Sequence, residues 1–359
     1  MLLLCSLFIK RKEILPENLE NAPFVSLIIA VYNEEKVIRA KLENSLRLNY
    51  PEKKLEIIVA SDGSTDRTNE IVRSFENRGI KLYQYERVGK TGIQNETVKK
   101  AKGEILVFSD ANAIYHKDAI RKLVRNFFYD GVGCVCGQLF YRKKDGTHFA
   151  SGEILYWKYE NFLKNKENRI SSLIGANGSI YAIRKSDYVE IDVELISDLV
   201  EPLEIVKRGK RVAYEPEAIS YEESSSFVKE EFNRKVRILT RSIFALLHMK
   251  CLFDPLSYGI FAIQLLVHKM LRYLVPLFLM TGALSLVFLI ENKFYFVLFC
   301  LLMVLSLLTI VGKFSRNKRA YFRLFNLIYY YAMVNYALIF AWINIVRGRK
   351  ITVWRPERN

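Results

Sequence analysis

The chain has 359 residues, of which 51% are hydrophobic and 26% are charged, and its formal net charge is +16. This composition is too apolar for a disordered protein, and the length suffices for one large domain or two smaller ones. The five cysteines lack zinc-site or redox spacing, which argues against a disulfide scaffold or a cysteine-built metal centre and favours a reducing, cytoplasmic face.

The N-terminal segment Met1–Ile9 is apolar and is followed by the basic run Lys10–Lys12. A helix of this length covers only about 13 Å, less than half of a bilayer core. The basic flank also lies on the wrong side for a signal peptide. We therefore expect residues 1–21 to form a short anchor and linker, or the remainder of a longer span.

The following part of the chain alternates strand and helix patterns. Continuous apolar runs predict buried parallel strands at Val25–Tyr32, Leu55–Ser61 and Ile105–Ser109. Helical patterns follow them at Glu34–Leu48, Thr65–Glu76 and Gly92–Ala101. Strand–helix–strand units at this spacing predict a doubly wound α/β domain with a mostly parallel sheet.

Polar residues follow each predicted strand, and the carboxyl ends of parallel strands are where such sheets bind ligands. A carboxylate after the first strand can accept from a ribose hydroxyl, Asp62 from a base N–H group, and Asp110 can hold a divalent cation. Lys90 can reach a phosphate. Taken singly, Asp62 could instead be a turn former and Lys90 a surface lysine. Dinucleotide and P-loop glycine motifs are missing, so the pattern indicates a nucleoside diphosphate site of another kind.

Four segments carry a resemblance to a known family. They are VSLIIAVYNEE (25–35), VASDGSTD (59–66), VFSDANA (107–113) and SDLVEPLEIVKRGKRVAYEPEA (197–218). Together they resemble inverting glycosyltransferases of family 2 with a GT-A fold, in the membrane-integrated subgroup related to cellulose, chitin, hyaluronan and poly-N-acetylglucosamine synthases. The resemblance covers about residues 22–245. It implies a nucleotide-sugar donor, UDP-linked in our interpretation, Mn²⁺ or Mg²⁺ as cofactor, and a glycan or lipid-linked acceptor.

The resemblance also implies roles for individual residues. It places donor binding at Tyr32, Asn33, Glu34, Asp62, Lys90, Asp110, Arg234 and Arg237. Asp110 and Asn112 stand at the metal motif, where Asn112 replaces a carboxylate of many members. Asp198 stands at the general base, and Gly175 and Asn177 stand in the segment near the acceptor. The run Arg234–Ile238 is a divergent form of the family's Gln-x-x-Arg-Trp motif.

Asp198 and one helix face can also be judged from chemistry and spacing. An inverting transfer needs one base to take the proton of the attacking hydroxyl, and a single carboxylate such as Asp198 suffices. Its position ahead of an apolar-periodic stretch also suits a helix N-cap.

Glu153, Trp157 and Glu160 share one helical face. That face either lines an acceptor channel, with Trp157 as an acceptor contact, or is a solvated face with one buried Trp.

A basic amphipathic helix is predicted from Phe232 to Leu247. Its apolar positions recur at helical spacing and its other positions carry Arg and Lys, a pattern typical of membrane surfaces. Such a helix could anchor on anionic lipid, or turn Arg234 and Arg237 towards a pyrophosphate. A nucleic-acid partner is not expected, because no nucleic-acid motif accompanies the charge.

The C-terminal part is apolar and basic, with 13 basic and 3 acidic residues after Lys250. Its charge-free runs predict about three membrane spans, at Tyr273–Ile290, Phe294–Gly312 and Leu324–Val346. Pro255–His268 is too short to span and predicts an interfacial helix. The loop charges favour a cytoplasmic start of the first span, but the basic C-terminus then lies outside unless the third segment re-enters.

These observations divide the chain into five parts. We expect an anchor and linker (1–21), a glycosyltransferase domain (22–231), interfacial helices (232–272), transmembrane helices (273–346) and a basic tail (347–359). The expected location is the cell membrane, multi-pass, with the catalytic domain cytoplasmic. Three spans are few for a self-contained polymer channel, so a homo-oligomer or partner subunit is expected for a processive synthase. A single-transfer enzyme and a non-catalytic nucleotide-sugar sensor are the alternatives.

Overall fold

A mixed eight-stranded sheet organises the first part of the computed structural model, which describes residues 21–142, 150–223, 228–314 and 323–349. Its strands are β1 (Val25–Val31), β2 (Leu55–Asp62), β3 (Ile80–Tyr85), β4 (Ile105–Asp110), β5 (Ile114–Tyr115), β6 (Val132–Arg142), β7 (Tyr181–Arg184) and β8 (Arg211–Glu223). The spatial order is β3-β2-β1-β4-β7-β6-β8-β5. Because β3, β2, β1 and β4 are parallel, their carboxyl ends share one edge, and the predicted α/β class is confirmed.

Strand β1 is buried along its whole length, as its continuous apolar sequence predicts. Leu27 and Ile29 belong to the core on one face of the sheet, whereas Ile28 belongs to the core on the other face. Side chains alternate between the faces of a strand, so a strand covered on both faces needs apolar residues at successive positions. The predicted strands match the observed ones to within one residue at their ends.

Six helices flank the sheet in the described residues. They are α1 (Ile38–Ser45), α2 (Thr68–Arg73), α3 (Lys90–Lys100), α4 (Ala119–Val124), α5 (Ala150–Ile170) and α6 (Ser197–Lys207). The first two helices were predicted too long, because the polar residues at their predicted starts form hydrogen bonds between the loops after β1 and β2 instead. The backbone N–H of Glu34 donates to Thr68 Oγ1 at 2.8 Å, and that of Glu35 donates to Asp66 Oδ2 at 3.1 Å.

Longer helices make up the C-terminal part. They are α7 (Val228–His248), α8 (Pro255–Tyr258), α9 (Ile260–Leu265), a π-helical turn (Leu266–Met270), α10 (Leu271–Phe288), α11 (Lys293–Phe314) and α12 (Arg323–Val346). Three helical stretches are long and apolar enough to cross a membrane: Ile260–Phe288, Lys293–Val311 and Leu327–Val346. The predicted number is confirmed for the described residues. The predicted anchor (1–20) and most of the tail (350–359) lie outside them.

The first candidate span begins inside the protein, which corrects the predicted boundary at residue 272. Phe261 and Leu265 are buried in the core of the sheet domain, and Gln264 donates to the backbone oxygen of Ser172 at 2.9 Å. Further along, His268 is hydrogen-bonded to Glu167 and Arg272 to Glu160. From Ile260 onwards, the segment predicted as a separate interfacial helix is thus continuous with the span, with one face packed on the protein and the other exposed.

The apolar stripe of α7 also faces protein. Leu239, Ile243 and Leu246 are buried in the main core. At the start of the stripe, the ring of Phe232 lies 5.8 Å from that of Tyr336 and 5.9 Å from that of Phe340, both on α12. Periodicity shows that one face of a helix is covered, but not what covers it. Here the sheet domain and α12 supply the cover that we had expected from lipid.

Candidate active site

Three charged side chains converge on Gly178 at the shared edge of the parallel strands. A Cβ atom placed on Gly178 would lie 2.8 Å from Asp198 Oδ2, 2.9 Å from Lys90 Nζ and 3.4 Å from Asp110 Oδ2. Asp198 comes from the first turn of α6, Lys90 from the start of α3 and Asp110 from the end of β4. The structure therefore brings together the predicted base, the predicted phosphate-binding lysine and the predicted metal ligand.

Lys90 is the cation between the two carboxylates. Its Nζ donates to Asp110 Oδ1 at 2.5 Å and to the backbone oxygen of Gly178 at 3.4 Å. Burial acts to lower the pKa of Lys90, but the charges of Asp110 and Asp198 outweigh it and hold the pKa above its ordinary value. Lys90 is therefore fully charged at neutral pH, as a phosphate-binding group must be.

Asp198 lies inside the first turn of α6 rather than at its cap. The helix already starts at Ser197 and Ile196 is its cap residue, so the alternative role of Asp198 as N-cap is wrong. Burial raises the pKa of Asp198, Lys90 and Arg241 oppose this effect, and Asp110 adds to it. A carboxylate with a raised pKa is a stronger base than an ordinary aspartate, which suits proton abstraction from a hydroxyl.

Glu201 lies one helical turn after Asp198 and had no predicted role. It is buried, and burial raises its pKa to about 8, with the charge of Asp198 adding to the effect. At neutral pH its carboxyl group is therefore mostly protonated. Glu201 consequently adds little negative charge next to Asp198.

Asp62 organises the loop that leads to Lys90. It is only 1% exposed, and its Oδ1 accepts from the backbone N–H groups of Val88 at 2.8 Å and Gly89 at 2.9 Å. Its Oδ2 accepts from Arg87 at 2.5 Å, and the Arg87 guanidinium lies 3.1 Å from the ring centroid of Tyr32. The predicted base contact of Asp62 stays a prediction. Arg87, which the sequence did not single out, links the predicted donor residues Tyr32 and Asp62.

Asn33 and Glu34 form the turn after β1. Asn33 has a φ of 51°, a left-handed conformation that Asn tolerates better than most residues. Its Oδ1 accepts from the backbone N–H of Thr65 at 2.8 Å, and its own N–H donates to Ser64 Oγ at 3.1 Å. Glu34 is buried behind it. These contacts join the turns after β1 and β2. Both residues, which were predicted to bind the nucleotide-sugar donor, therefore stabilise the shape of the strand edge.

The predicted metal ligands Asp110 and Asn112 lie beside a further carboxylate. The side chain of Asp110 is 35% exposed, and Asn112 Nδ2 donates to Glu222 Oε2 at 3.1 Å. These oxygen donors suit a hard divalent cation. Across the ranges that the structure describes, no three His, Cys, Asp or Glu side chains cluster closely enough to hold a metal ion. The residues therefore fit a cation that takes its remaining ligands from phosphate and water.

A buried lysine supports this turn from behind. Lys41 on α1 donates to the backbone oxygen of Ala113 at 2.5 Å, and its Nζ lies 3.8 Å from the ring centroid of Tyr115. Burial lowers the pKa of Lys41 to about 7, although Asp110 and Glu222 act in the opposite direction. Lys41 thus stabilises the chain that follows Asp110. Its position on an otherwise ordinary helix gave no signal of this role.

The predicted acceptor residues lie on the other side of Asp198. Asn177 Nδ2 donates to the backbone oxygen of Gly137 at 3.0 Å, and its Oδ1 accepts from Lys164 on α5. Lys164 Nζ lies 5.8 Å from the ring centroid of Trp157, and its charge acts on Asp198. A Cβ atom on Gly175 would meet Leu199 Cδ1 at 3.1 Å. Gly175, Asn177 and Trp157 therefore share one region, with Lys164 as an unpredicted member.

The predicted face of Glu153, Trp157 and Glu160 does not act as a unit. Glu160 is buried and bonded to Arg272, so it belongs to the root of the first candidate span. Its place in an acceptor channel stays a prediction. The side chain of Glu153 lies outside the described residues.

Three arginines of α7 bear on the predicted site: Arg234, Arg237 and Arg241. Arg234 donates to the hydroxyl of Tyr141 at 3.3 Å, and its Nε lies 3.6 Å from Glu231 Oε2. The contact of Arg237 with a pyrophosphate stays a prediction. Arg241, one turn further along the helix, was not predicted, and its charge acts on Asp198.

Comparisons with known proteins show which proteins the chain is similar to. Residues 26–190 match the family model described as "Glycosyl transferase family 2". The chain is 28% identical over 211 residues to "Poly-beta-1,6-N-acetyl-D-glucosamine synthase" of Staphylococcus aureus (strain COL), covering 57% of this chain and 51% of the relative. It is 28% identical over 240 residues to "Probable glycosyltransferase YdaM" of Bacillus subtilis (strain 168), covering 62% and 56%. The chain thus spans about half the length of the curated relatives that it matches.

A solved structure shows the same fold over nearly the whole chain. It is "Mannosyltransferase PcManGT from Pyrobaculum calidifontis in complex with GDP-Man and Mn2+", with a TM-score of 0.73 and 20% identity. The match covers 97% of this chain and 94% of the mannosyltransferase, so it includes the C-terminal helices. The predicted GT-A architecture followed by apolar helices is confirmed.

Proposed function

We propose that this chain, whose residues 26–190 match the glycosyl transferase family 2 model, is a membrane-bound inverting glycosyltransferase. It moves a sugar from a nucleotide-sugar donor, UDP-linked in our proposal, to a polysaccharide or lipid-linked acceptor. The observation that carries the proposal is the convergence of Asp198, Lys90 and Asp110 on Gly178. A base, a phosphate-binding cation and a cation-binding carboxylate at one point are what such a transfer requires.

The chemistry assigns a separate task to each of these groups. Asp198 takes the proton of the acceptor hydroxyl while that oxygen bonds to the anomeric carbon of the donor. The bond from the anomeric carbon to the diphosphate breaks on the opposite side, so the configuration inverts. Lys90, charged and placed at the strand edge, stabilises the negative charge that develops on the leaving nucleoside diphosphate.

A divalent cation, Mn²⁺ or Mg²⁺, is the proposed cofactor. The mannosyltransferase of the same fold holds GDP-Man and Mn²⁺, which supports this proposal. Asp110 and the amide oxygen of Asn112 would hold the cation, with Glu222 next to them. When bound, the cation neutralises diphosphate charge.

Removing the cation is expected to abolish activity. Asp110→Ala should weaken UDP binding and lower turnover, each by at least about 10-fold, because the cation and its carboxylate are lost together. Asn112→Asp should instead lower the metal concentration that gives half-maximal activity, since a second carboxylate attracts a hard cation. Metal titration of transfer and UDP titration by calorimetry measure both. Full activity of the wild type in excess chelator would contradict the assignment.

The C-terminal helices support a location in the cell membrane. Apolar side chains of α10 and α11, among them Phe278, Phe288 and Phe294, are exposed on the protein. We propose that they face lipid in a multi-pass protein, with the sheet domain on the cytoplasmic side, where nucleotide sugars are made. A glycan-exporting enzyme with three spans needs a second copy or a partner subunit to complete a channel.

Incubation of membranes containing the protein with a panel of labelled nucleotide sugars tests the proposal. We expect transfer or donor hydrolysis with one UDP-linked sugar, and analysis of the product identifies the acceptor and distinguishes polymer from single transfer. An Asp198→Asn membrane preparation serves as the matched control. Donor binding without turnover by the wild type would instead indicate a non-catalytic sensor.

A further inference from the structure

Arg241 on α7 connects the membrane-side helices to the candidate active site. Its guanidinium donates to the backbone oxygen of Leu195 at 2.5 Å. It also donates, at 3.3 Å in each case, to the backbone oxygens of Val193 and Glu194 and to Thr91 Oγ1. One side chain therefore bonds a loop of three successive residues and a helix from a different part of the chain.

The two segments that Arg241 joins carry the reacting groups of the proposed function. Leu195 lies three residues before Asp198, and Thr91 directly follows Lys90. Thr91 is 1% exposed and its own hydroxyl donates to the backbone oxygen of Leu195 at 2.8 Å. The Leu195 oxygen is thus the point at which the start of α3, the approach to α6 and α7 meet.

The charge of Arg241 serves the same site. Its guanidinium donates to backbone oxygens and a hydroxyl, and the charge of the Asp198 carboxylate acts on it. Burial lowers the pKa of Arg241, and Asp198 opposes that effect. The electrostatic partnership of Arg241 is therefore with Asp198, although its hydrogen bonds go to the loop before α6.

We infer that Arg241 is a positioning residue for the proposed reaction, which holds the segments of Asp198 and Lys90 in register from the membrane side. This inference rests on the proposed function. A planar guanidinium presents five donors in a rigid fork and can bond several oxygens at once, whereas a lysine ammonium is a single point of charge. Bonding several oxygens of two segments at once therefore favours arginine over lysine at position 241.

Contacts with α12 also hold α7, the helix of Arg241, in place. Thr240, the preceding residue, accepts from Asn344 Nδ2 of α12 at 3.4 Å. Because α7 packs against α12 at both Phe232 and Thr240, its position relative to the third candidate span is set along its length. Through its hydrogen bonds, Arg241 then fixes the loop that precedes Asp198 relative to α7.

Comparison of Arg241→Ala and Arg241→Lys with the wild type tests the inference. We expect kcat of Arg241→Ala to fall by about 10- to 100-fold, since small displacements of reacting groups cost this much, while the donor Kd stays within about 2-fold. Added guanidinium should restore part of the lost kcat in Arg241→Ala but not change the wild type. The kcat of Arg241→Lys should lie between the kcat of the wild type and that of Arg241→Ala. Arg208→Ala, at an exposed arginine directly after the helix of Asp198, is the matched control and should keep wild-type kcat.

The outcomes separate the inference from the proposed function. If the wild type transfers no sugar, the proposed function fails before any variant is compared. If the wild type transfers sugar and Arg241→Ala keeps its kcat, the inference is overturned. A loss of kcat that guanidinium does not restore and that is matched by an equal loss of donor binding also overturns it, because it reports collapse of the site.

Discussion

Asp198→Asn is expected to reduce sugar transfer at least about 100-fold while donor binding persists. Asn has nearly the same shape as Asp but cannot accept the proton of the attacking hydroxyl, so the loss appears in kcat. The wild-type rate at saturating donor should also fall as the pH drops through the pKa of Asp198, which burial raises above the ordinary value. Steady-state transfer assays across a pH series, together with UDP titration, measure both effects.

The matched control is Asp130→Asn, because Asp130 is exposed and belongs to a turn away from the strand edge. It should keep the wild-type kcat and pH profile. Near wild-type turnover in a folded Asp198→Asn protein would remove Asp198 from the mechanism.

Gly178→Ala is expected to cause a loss of transfer of about 100-fold or more without unfolding the domain. The added Cβ would lie 2.8 Å from Asp198 Oδ2 and 2.9 Å from Lys90 Nζ, closer than real Cβ contacts allow, so both groups must move. Reacting groups displaced by about 1 Å typically lose this much rate. Transfer assays and donor titration should show losses in both kcat and donor affinity, because Lys90 belongs to the donor side.

Gly282→Ala is the control for this substitution, since a Cβ at Gly282 meets no atom within 4 Å and its backbone is helical. It should leave transfer unchanged. If Gly178→Ala retains wild-type activity, the close approach of Asp198 and Lys90 to Gly178 is not required for transfer, and this prediction is wrong.

Sequence alone located the sheet and most of the proposed site for a physical reason. Buried parallel strands need unbroken apolar runs, so Val25–Val31 is visible as a strand without any structure. Parallel strands place their carboxyl ends together, so the polar residues after three such runs had to meet at one edge. Asp110 and Lys90 followed from that rule and from the family resemblance, and Asp198 followed from the resemblance together with the need for a base.

The residues that were missed reach the site from distant parts of the sequence. Lys164 contacts Asn177 across a turn between helix and strand, and Arg241 bonds Leu195 from another helix. Glu222 meets Asn112 from β8. Local periodicity carries no information on such pairs, because each side chain looks like an ordinary surface charge in its own segment. The buried root of the first span was missed for a related reason: His268 and Arg272 are charged or polar, yet their partners on α5 satisfy them.

At the proposed membrane location, the root of the first candidate span would couple the bilayer mechanically to the sheet domain. The apolar helix Leu271–Phe288 has 18 residues, a length of about 27 Å at 1.5 Å per residue, close to the hydrocarbon thickness of a membrane. Gln264 and His268 upstream of this helix, and Arg272 in its first turn, bond the segment to the sheet domain. A helix fastened at one end acts as a lever, so any tilt by which it adapts to a thicker or thinner membrane rotates the sheet domain with it. At the proposed membrane location, lipid composition would then set the angle at which the strand edge faces the membrane surface.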